Sequence, residues 1–189
     1  MTARSFEYAQ LQEGRKMGGV AGYGLRRAVI DDQGEIKAIL QSGEQRLIRG
    51  DRVVFVHGPL QEVQTVRRIF HMFLHGGTGQ GEIADTLNDE GIAGENGRPW
   101  SSWTVGNLLA NPKYAGVYRF GHRRRTLDGQ RLDNAAESVL YVPGVCVPIV
   151  PLAWITAAAA KPDRRMLFLP KAEILLRLRA HAANLSHRR

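Results

Sequence analysis

The chain has 189 residues, a formal net charge of +8 at pH 7 and a hydrophobic share of 43%. That share supports a packed core and excludes global disorder, no apolar run approaches the roughly 18–20 residues that cross a bilayer, and residues 1–16 have no signal-peptide core. The single cysteine, Cys146, excludes an internal disulfide and a multi-cysteine zinc site. The basic balance points to an anionic partner, with nucleic acid ahead of a membrane surface, and the default location is the cytoplasm, associated with the nucleoid.

Taken in chain order, residues 14–24 (GRKMGGVAGYG) hold five glycines and predict an extended connector rather than a helix. Residues 27–30 and 35–40 flank Asp31-Asp32-Gln33-Gly34, which has turn chemistry, so they read as a hairpin. Residues 46–48 and 53–56 read as further short strands split by Arg49-Gly50-Asp51. Pro59 opens a helix in which Val63, Val66, Ile69, Phe70, Phe73 and Leu74 share a face, and Gly76-Gly77 ends it. A short helix over 82–90 turns Ile83, Ala84 and Leu87 inward and stops at Gly91, with Ile92 packing back.

After a polar loop over 93–99, Ser101 or Ser102 caps a third helix that runs to about Ala110 with Val105, Leu108 and Leu109 inward. Asn111-Pro112 terminates it. Residues 117–120 and 139–142 pair as strands joined by a basic, mobile loop. An Ala-rich helix covers 152–160, and a last helix covers 171–183. The fold class is α+β: a small antiparallel sheet with a helical core resembling a helix-turn-helix. The expected division is a linker and helix tail over 1–17, a main domain over 18–145 and a helical extension over 146–189.

Charge is uneven along the chain. Residues 78–97 carry five acids and no base, whereas residues 161–189 carry eight bases and two acids. The third helix offers Ser102, Trp103, Thr104 and Asn107 on its outward or open side. Hydroxyls and amides of this kind reach base edges, and a helix N-terminus favours phosphate. Lys113 and Tyr114 follow directly as phosphate-holding candidates. The competing reading is a plain helical hairpin with a capped third helix, since the loop between the second and third helices exceeds the usual tight turn.

Three runs carry a family resemblance: GGVAGYGLRR at 18–27, HGPLQEVQTVRRIFHMFLHGGTGQGEIADTLNDEGI at 57–92, and RPWSSWTVGNLLANPKYAGVYRF at 98–120. In that order and spacing they resemble the recombinase domain of large serine recombinases, and PIVPLAWITAAAA at 148–160 is similar to the segment that closes the domain. The resemblance implies a module that binds attachment-site DNA for integration or excision, with a helix in the major groove and the preceding connector along the minor groove. It places Ser102, Trp103, Thr104 and Asn107 in the major groove and Arg15, Lys16, Gly18 and Gly19 in the connector. Arg98, Lys113, Arg119 and Arg123, Arg124 and Arg125 become backbone-contacting cations. A minor groove about 6 Å wide admits glycine backbone but few bulky side chains.

The family's strand-cleaving serine lies in a catalytic domain for which residues upstream of Gly14 give no room. No serine here is therefore expected to be a nucleophile, and the chain by itself is not expected to be an enzyme. The expected partners are double-stranded DNA and a recombinase catalytic domain or further recombinase subunits, with no membrane and no cofactor. A stand-alone DNA-binding regulator or recombination accessory factor is the alternative. Other motifs are read as structural. His71 and His75, four apart on a helix, have no third metal ligand by spacing. Glu82, Asp85, Asp89 and Glu90 form a solvated face without a partner base. Gly76–Gly81 lacks the ending of a phosphate loop. Trp100, after Pro99, reads as a core plug.

Overall fold

A computed structural model describes residues 20–41, 44, 52–121, 123–125, 129–133, 139–144 and 146–161. The expected strand at 46–48 with its turn, the connector positions 14–19 and the helix at 171–183 lie outside these residues. The architecture is α+β. Strands β1 (Leu25–Ile30), β2 (Ile36–Leu40) and β3 (Arg52–His57) form an antiparallel sheet in the order β2-β1-β3. Period-2 alternation drives β3, where Val53 and Phe55 face inward between half-exposed neighbours. The β1–β2 turn is built as its sequence suggests: the Asp31 carboxylate accepts from the Gln33 and Glu35 backbone N–H groups, and Gly34 takes φ +89°.

Helix α1 (Leu60–Leu74) follows Pro59. Its buried stripe of Val63, Val66, Ile69, Phe70 and Phe73 is the three-and-four pattern of the sequence. At about 1.5–3 kcal/mol for each large apolar side chain buried, this stripe dominates the stability of the helical layer. The helix stops at the Gly-Gly pair, where the Gly76 N–H donates to the His71 carbonyl and Gly77 takes φ +67°. Lys161 reaches back from just beyond the helix over Leu152–Ala160 to donate to the Phe73 and Leu74 carbonyls (2.6 and 3.1 Å), satisfying the end of α1.

Helix α2 (Gln80–Asp89) starts two residues earlier than the sequence pattern gives. The reason is tertiary: Gln80 is 4% exposed and packs on Gly106 of helix α3 (Ser102–Leu109). At the other end Gly91 adopts φ +70° and the Ile92 N–H returns to the Leu87 carbonyl. Ile92 packs back against the core as expected. The carboxylate of Glu90 has a partner base after all, a two-pronged pair with Arg68 of α1 (2.5 and 2.6 Å), which holds it below the usual carboxylate range. Helix α4 (Leu152–Ala160) buries Ile155 and Ala158 on the same core. Ile149 and Val150 also join that core, so apolar packing continues across the boundary expected at 145/146.

Strands β4 (Val117–Phe120) and β7 (Leu140–Pro143) pair antiparallel, with Val117 opposite Pro143. Val142 and Tyr118 lie on the three-stranded sheet, the Tyr118 ring 5.8 Å from that of Phe55. The basic stretch between them is not an open loop. It contains a hairpin in which β5 (Arg123–Arg125) pairs with β6 (Arg131–Asp133), Arg123 opposite Asp133. Asp128-Gly129 is a hairpin-turn signal in the sequence, and Gly129 takes φ +85°; its basic surroundings disguised it.

Two layers meet where β1 begins. Gly24 (φ +78°) sits so close to α1 that a Cβ there would lie 2.9 Å from Val66 Cγ2, and its carbonyl accepts from the Gly58 N–H at 2.9 Å. Beside it the Arg26 guanidinium makes a two-pronged pair with Glu62 (2.6 and 2.9 Å), whose carboxylate also accepts from the Gly24 N–H at 3.0 Å. Burial pushes the Glu62 carboxyl up, but Arg26 and the Gly24 N–H together outweigh it and hold it below its ordinary value. A carboxyl lowered in the native state stabilises the fold above its unfolded value, and the contribution disappears as pH falls through the native one. Glu62→Gln is expected to cost about 1 kcal/mol near neutral pH, discounted for partial exposure. It should also flatten the acid limb of stability, read as urea midpoints between pH 7 and 3.

Candidate nucleic-acid interface

Helix α3 owes its start to Ser101. The Ser101 hydroxyl accepts from the Thr104 N–H (3.2 Å), and the Thr104 hydroxyl accepts from the Ser101 N–H (2.8 Å), a reciprocal capping box. Ser101, not Ser102, is therefore the cap. Val105, Leu108 and Leu109 are buried, which turns Trp103 and Asn107 outward. Trp103 is 75% exposed, the largest exposure among the big apolar side chains described. Ser102 and Thr104 are half-buried, and the Thr104 hydroxyl is committed to the cap.

The loop before the helix is pinned at both ends. The Asn88 side chain accepts from the Trp100 N–H (2.8 Å) and donates to the Trp100 carbonyl (3.0 Å). The Gly94 N–H donates to the Arg98 carbonyl at 2.8 Å, closing a tight loop around a 3-10 turn at Glu95–Gly97. Within it Asn96 takes φ +58°, a left-handed conformation that asparagine tolerates. Trp100 is the expected plug: it is 6% exposed and meets the Tyr23 ring edge-on, centroids 4.9 Å apart.

Together these elements enclose a concavity of about 310 Å³ between the connector backbone at Gly22-Tyr23, the pinned loop and the open side of α3. Arg98, Trp103, Thr104 and Asn107 line it, and Glu95 supplies an acid at its edge. Arg98, Trp103 and Asn107 are exposed. Four positions chosen from the sequence thus converge on one surface. Asn96 and Asn111 also line it and were not singled out, because in sequence they read only as loop and helix-terminating residues. A second concavity of about 610 Å³ lies against the connector from the side of Arg26, Arg27 and Leu40 and shares the wall at Gly22-Tyr23 and Gly94–Asn96.

Two candidates take other roles. Tyr114 is 2% exposed, and its hydroxyl donates to the Tyr23 carbonyl at 2.9 Å. Only its edge reaches the groove, and it is a core residue rather than a phosphate holder. Lys113 turns its ammonium inward, donating to the Val20 and Ala21 carbonyls (2.5 and 3.0 Å) and lying 4.8 Å from the centre of the Phe55 ring. Burial pulls it down to about 8, against opposing pulls from Cys146 and Glu95. It is not available as an exposed cation. Arg119 is half-buried on β4 opposite Tyr141, and Arg123–Arg125 belong to β5, apart from the groove lining. Arg15, Lys16, Gly18 and Gly19 lie outside the described residues. Among the described residues no three His, Cys, Asp or Glu side chains gather as a metal site, and no helix is long and apolar enough to cross a membrane. The His71 and His75 rings lie 5.1 Å apart, and His75 packs on Trp154.

The model of the Recombinase family matches residues 60–165, more than half of the chain. The chain belongs to the Recombinase family. This is the domain that follows the catalytic domain in large serine recombinases, and membership ties the chain to site-specific recombination of DNA. The matched span runs from the first residue of α1 past the end of α4, so it contains α3, the pinned loop and the turn that holds the connector.

The cap gives a direct test of how α3 is held. Ser101→Ala removes the acceptor for the Thr104 N–H and should lower stability by about 0.5–2 kcal/mol, read from the urea midpoint.

Proposed function

We propose that this chain is the site-specific DNA-binding module of a large serine recombinase, and that it reads attachment-site duplex with the open side of α3. The observation that carries the reading is the convergence of an exposed Trp103, an exposed Asn107 and an exposed Arg98 on one concave surface at the capped start of a helix. An amide at Asn107 can pair with an adenine edge, a flat indole can contact a thymine methyl group, and a guanidinium at the mouth can hold a phosphate. The N-terminal end of α3 adds a partial positive charge on the same side. A net charge of +8 supplies the general attraction to a polyanion. In this reading α2 and α3 act as a helix-turn-helix whose connection, residues 90–101, is lengthened and stiffened by the Asn88–Trp100 clasp.

The chain recognises and positions duplex, and strand cleavage belongs to the catalytic serine domain of the recombinase. The direct partners are double-stranded DNA and other recombinase subunits. Arg119, Arg123, Arg124 and Arg125 are the further candidates for contact with the DNA backbone.

Selection of bound duplexes from a random pool, followed by titration at several salt concentrations, tests this reading. Binding should weaken with salt at a slope of about −0.9 per phosphate contact. Binding insensitive to salt from low to physiological concentration would overturn it. Trp103→Ala with Asn107→Ala should erase the preference for the selected sequence while weaker binding to unrelated duplex survives. Arg98→Ala should weaken binding to every sequence alike and reduce the salt slope by about 0.9, the share of one phosphate.

A further inference from the structure

The groove has a wall that the helix does not supply. Gly22 and Tyr23 face α3 across the concavity, and they belong to a glycine-rich segment that cannot set its own path, because glycine leaves the backbone free. Three contacts from one turn fix that path. The 3-10 turn Pro112–Ala115 lies directly after α3, and Asn111 starts it by accepting from the Lys113 N–H at 3.1 Å. Tyr114 takes the Tyr23 carbonyl with its hydroxyl. Lys113 takes the Val20 and Ala21 carbonyls with its ammonium. The Tyr114 hydroxyl also lies only 3.2 Å from where a Cβ on Gly22 would be, and Gly22 has φ +97°.

We infer that Lys113 is a positioning residue for sequence recognition: by holding the Val20 and Ala21 carbonyls it fixes the connector wall opposite Trp103 and Asn107, and so sets the width of the surface that reads the duplex. This rests on the DNA-binding reading above. The side chain spans from the turn after α3 to the connector, so the two walls of the groove are tied to one residue. The ammonium lies 4.8 Å from the centre of the Phe55 ring on β3, and the Lys113 carbonyl accepts from the Cys146 thiol at 3.3 Å, which steadies the turn from behind. A cation placed to meet phosphate would project into solvent. This one is desolvated and spends its donors on backbone carbonyls, which suits a fastening.

Lys113→Met keeps an unbranched stem, one heavy atom shorter, and removes its donors. With the clamp lost, the ratio of affinity for the selected duplex over unrelated duplex should fall by about tenfold or more, while binding to unrelated duplex and the salt slope stay unchanged. A uniform loss on all sequences with a slope reduced by about 0.9 would mean a direct phosphate contact, and an unchanged ratio would mean the wall needs no clamp; either overturns the inference. Should the variant fail to fold, the wild-type chain still decides. With ¹⁵N-labelled lysine, the Lys113 Nζ signal should stay in place when duplex is added, and a shift like that of a surface lysine on phosphate would overturn the clamp. A wild-type chain that shows no salt-dependent duplex binding overturns the DNA reading and this inference with it. Selective binding that survives Lys113→Met overturns this inference alone.

Discussion

The buried hydrogen bond from the Tyr114 hydroxyl to the Tyr23 carbonyl ties together parts of the chain that are 91 residues apart. Tyr114 sits at the centre of the main core, its ring 6.5 Å from that of Phe70 on α1. Its own carbonyl accepts from the Ile149 and Val150 N–H groups at 2.8 and 3.1 Å, which brings in the segment leading to α4. One residue therefore joins the connector, the end of α3 and the approach to α4. Such a contact is costly to break, because a buried carbonyl left without a donor keeps its full desolvation penalty. Gly116, at φ +75°, lets the chain leave this turn for β4, and a Cβ there would strike the Cys146 carbonyl at 2.8 Å. The crowded 111–116 turn is built from an Asx cap, a proline, a tyrosine and a glycine in left-handed conformation.

Among the described residues, several cations are spent on internal contacts. The described arginines nearest the core are used internally. Arg26 serves Glu62, and the Arg67 Nε–H donates to the Ile149 carbonyl at 3.1 Å. Lys113 and Lys161 both place their ammonium groups against backbone carbonyls and aromatic rings, Phe55 and Phe73. A basic composition alone therefore overstates how much cation is free at the surface. On the proposed reading, cations that act as fasteners lower the number of phosphate contacts, and a surface built from Trp103, Asn107 and Arg98 would rely more on shape and hydrogen bonding than on charge density.

Much of the fold was legible because it follows simple periodicities. The α1 stripe, the β3 alternation, the Gly91 stop and the Asp31 turn are local patterns, and local patterns are what a sequence displays. The misses have physical causes of longer range. Gln80 extends α2 because Gly106, on another helix, offers it a place. Strands β5 and β6 pair inside a stretch whose basic residues suggested only a loop. Lys113 and Tyr114 looked like an exposed cation and its neighbour, and only the return of the connector across the turn shows that they face inward. The groove residues on α3 were legible because they are what remains once Val105, Leu108 and Leu109 are assigned to the core. The opposing wall was not, since Gly22 and Tyr23 are separated from the helix by about eighty residues and no spacing rule connects them.

The proposed recognition helix has to be presented at a fixed angle, and the angle of α3 is set from inside. A Cβ on Gly106 would come within 2.7 Å of Gln80 Oε1, so glycine at that position lets α2 approach α3 closely. Gly106 lies between Trp103 and Asn107 in sequence but about 60° from Trp103 and about 100° from Asn107 around the helix, given about 3.6 residues per turn. The contact that seats α3 on α2 is thus made by the same two turns of helix that carry the exposed residues. A helix with only eight residues has little stability of its own. The Ser101–Thr104 cap, the seat on Gln80 and the clasp of Asn88 on Trp100 supply what its length does not. A short helix held at its start and its back can leave its remaining face free of structural duties, and that is the condition under which side chains such as Trp103 and Asn107 could serve the proposed recognition.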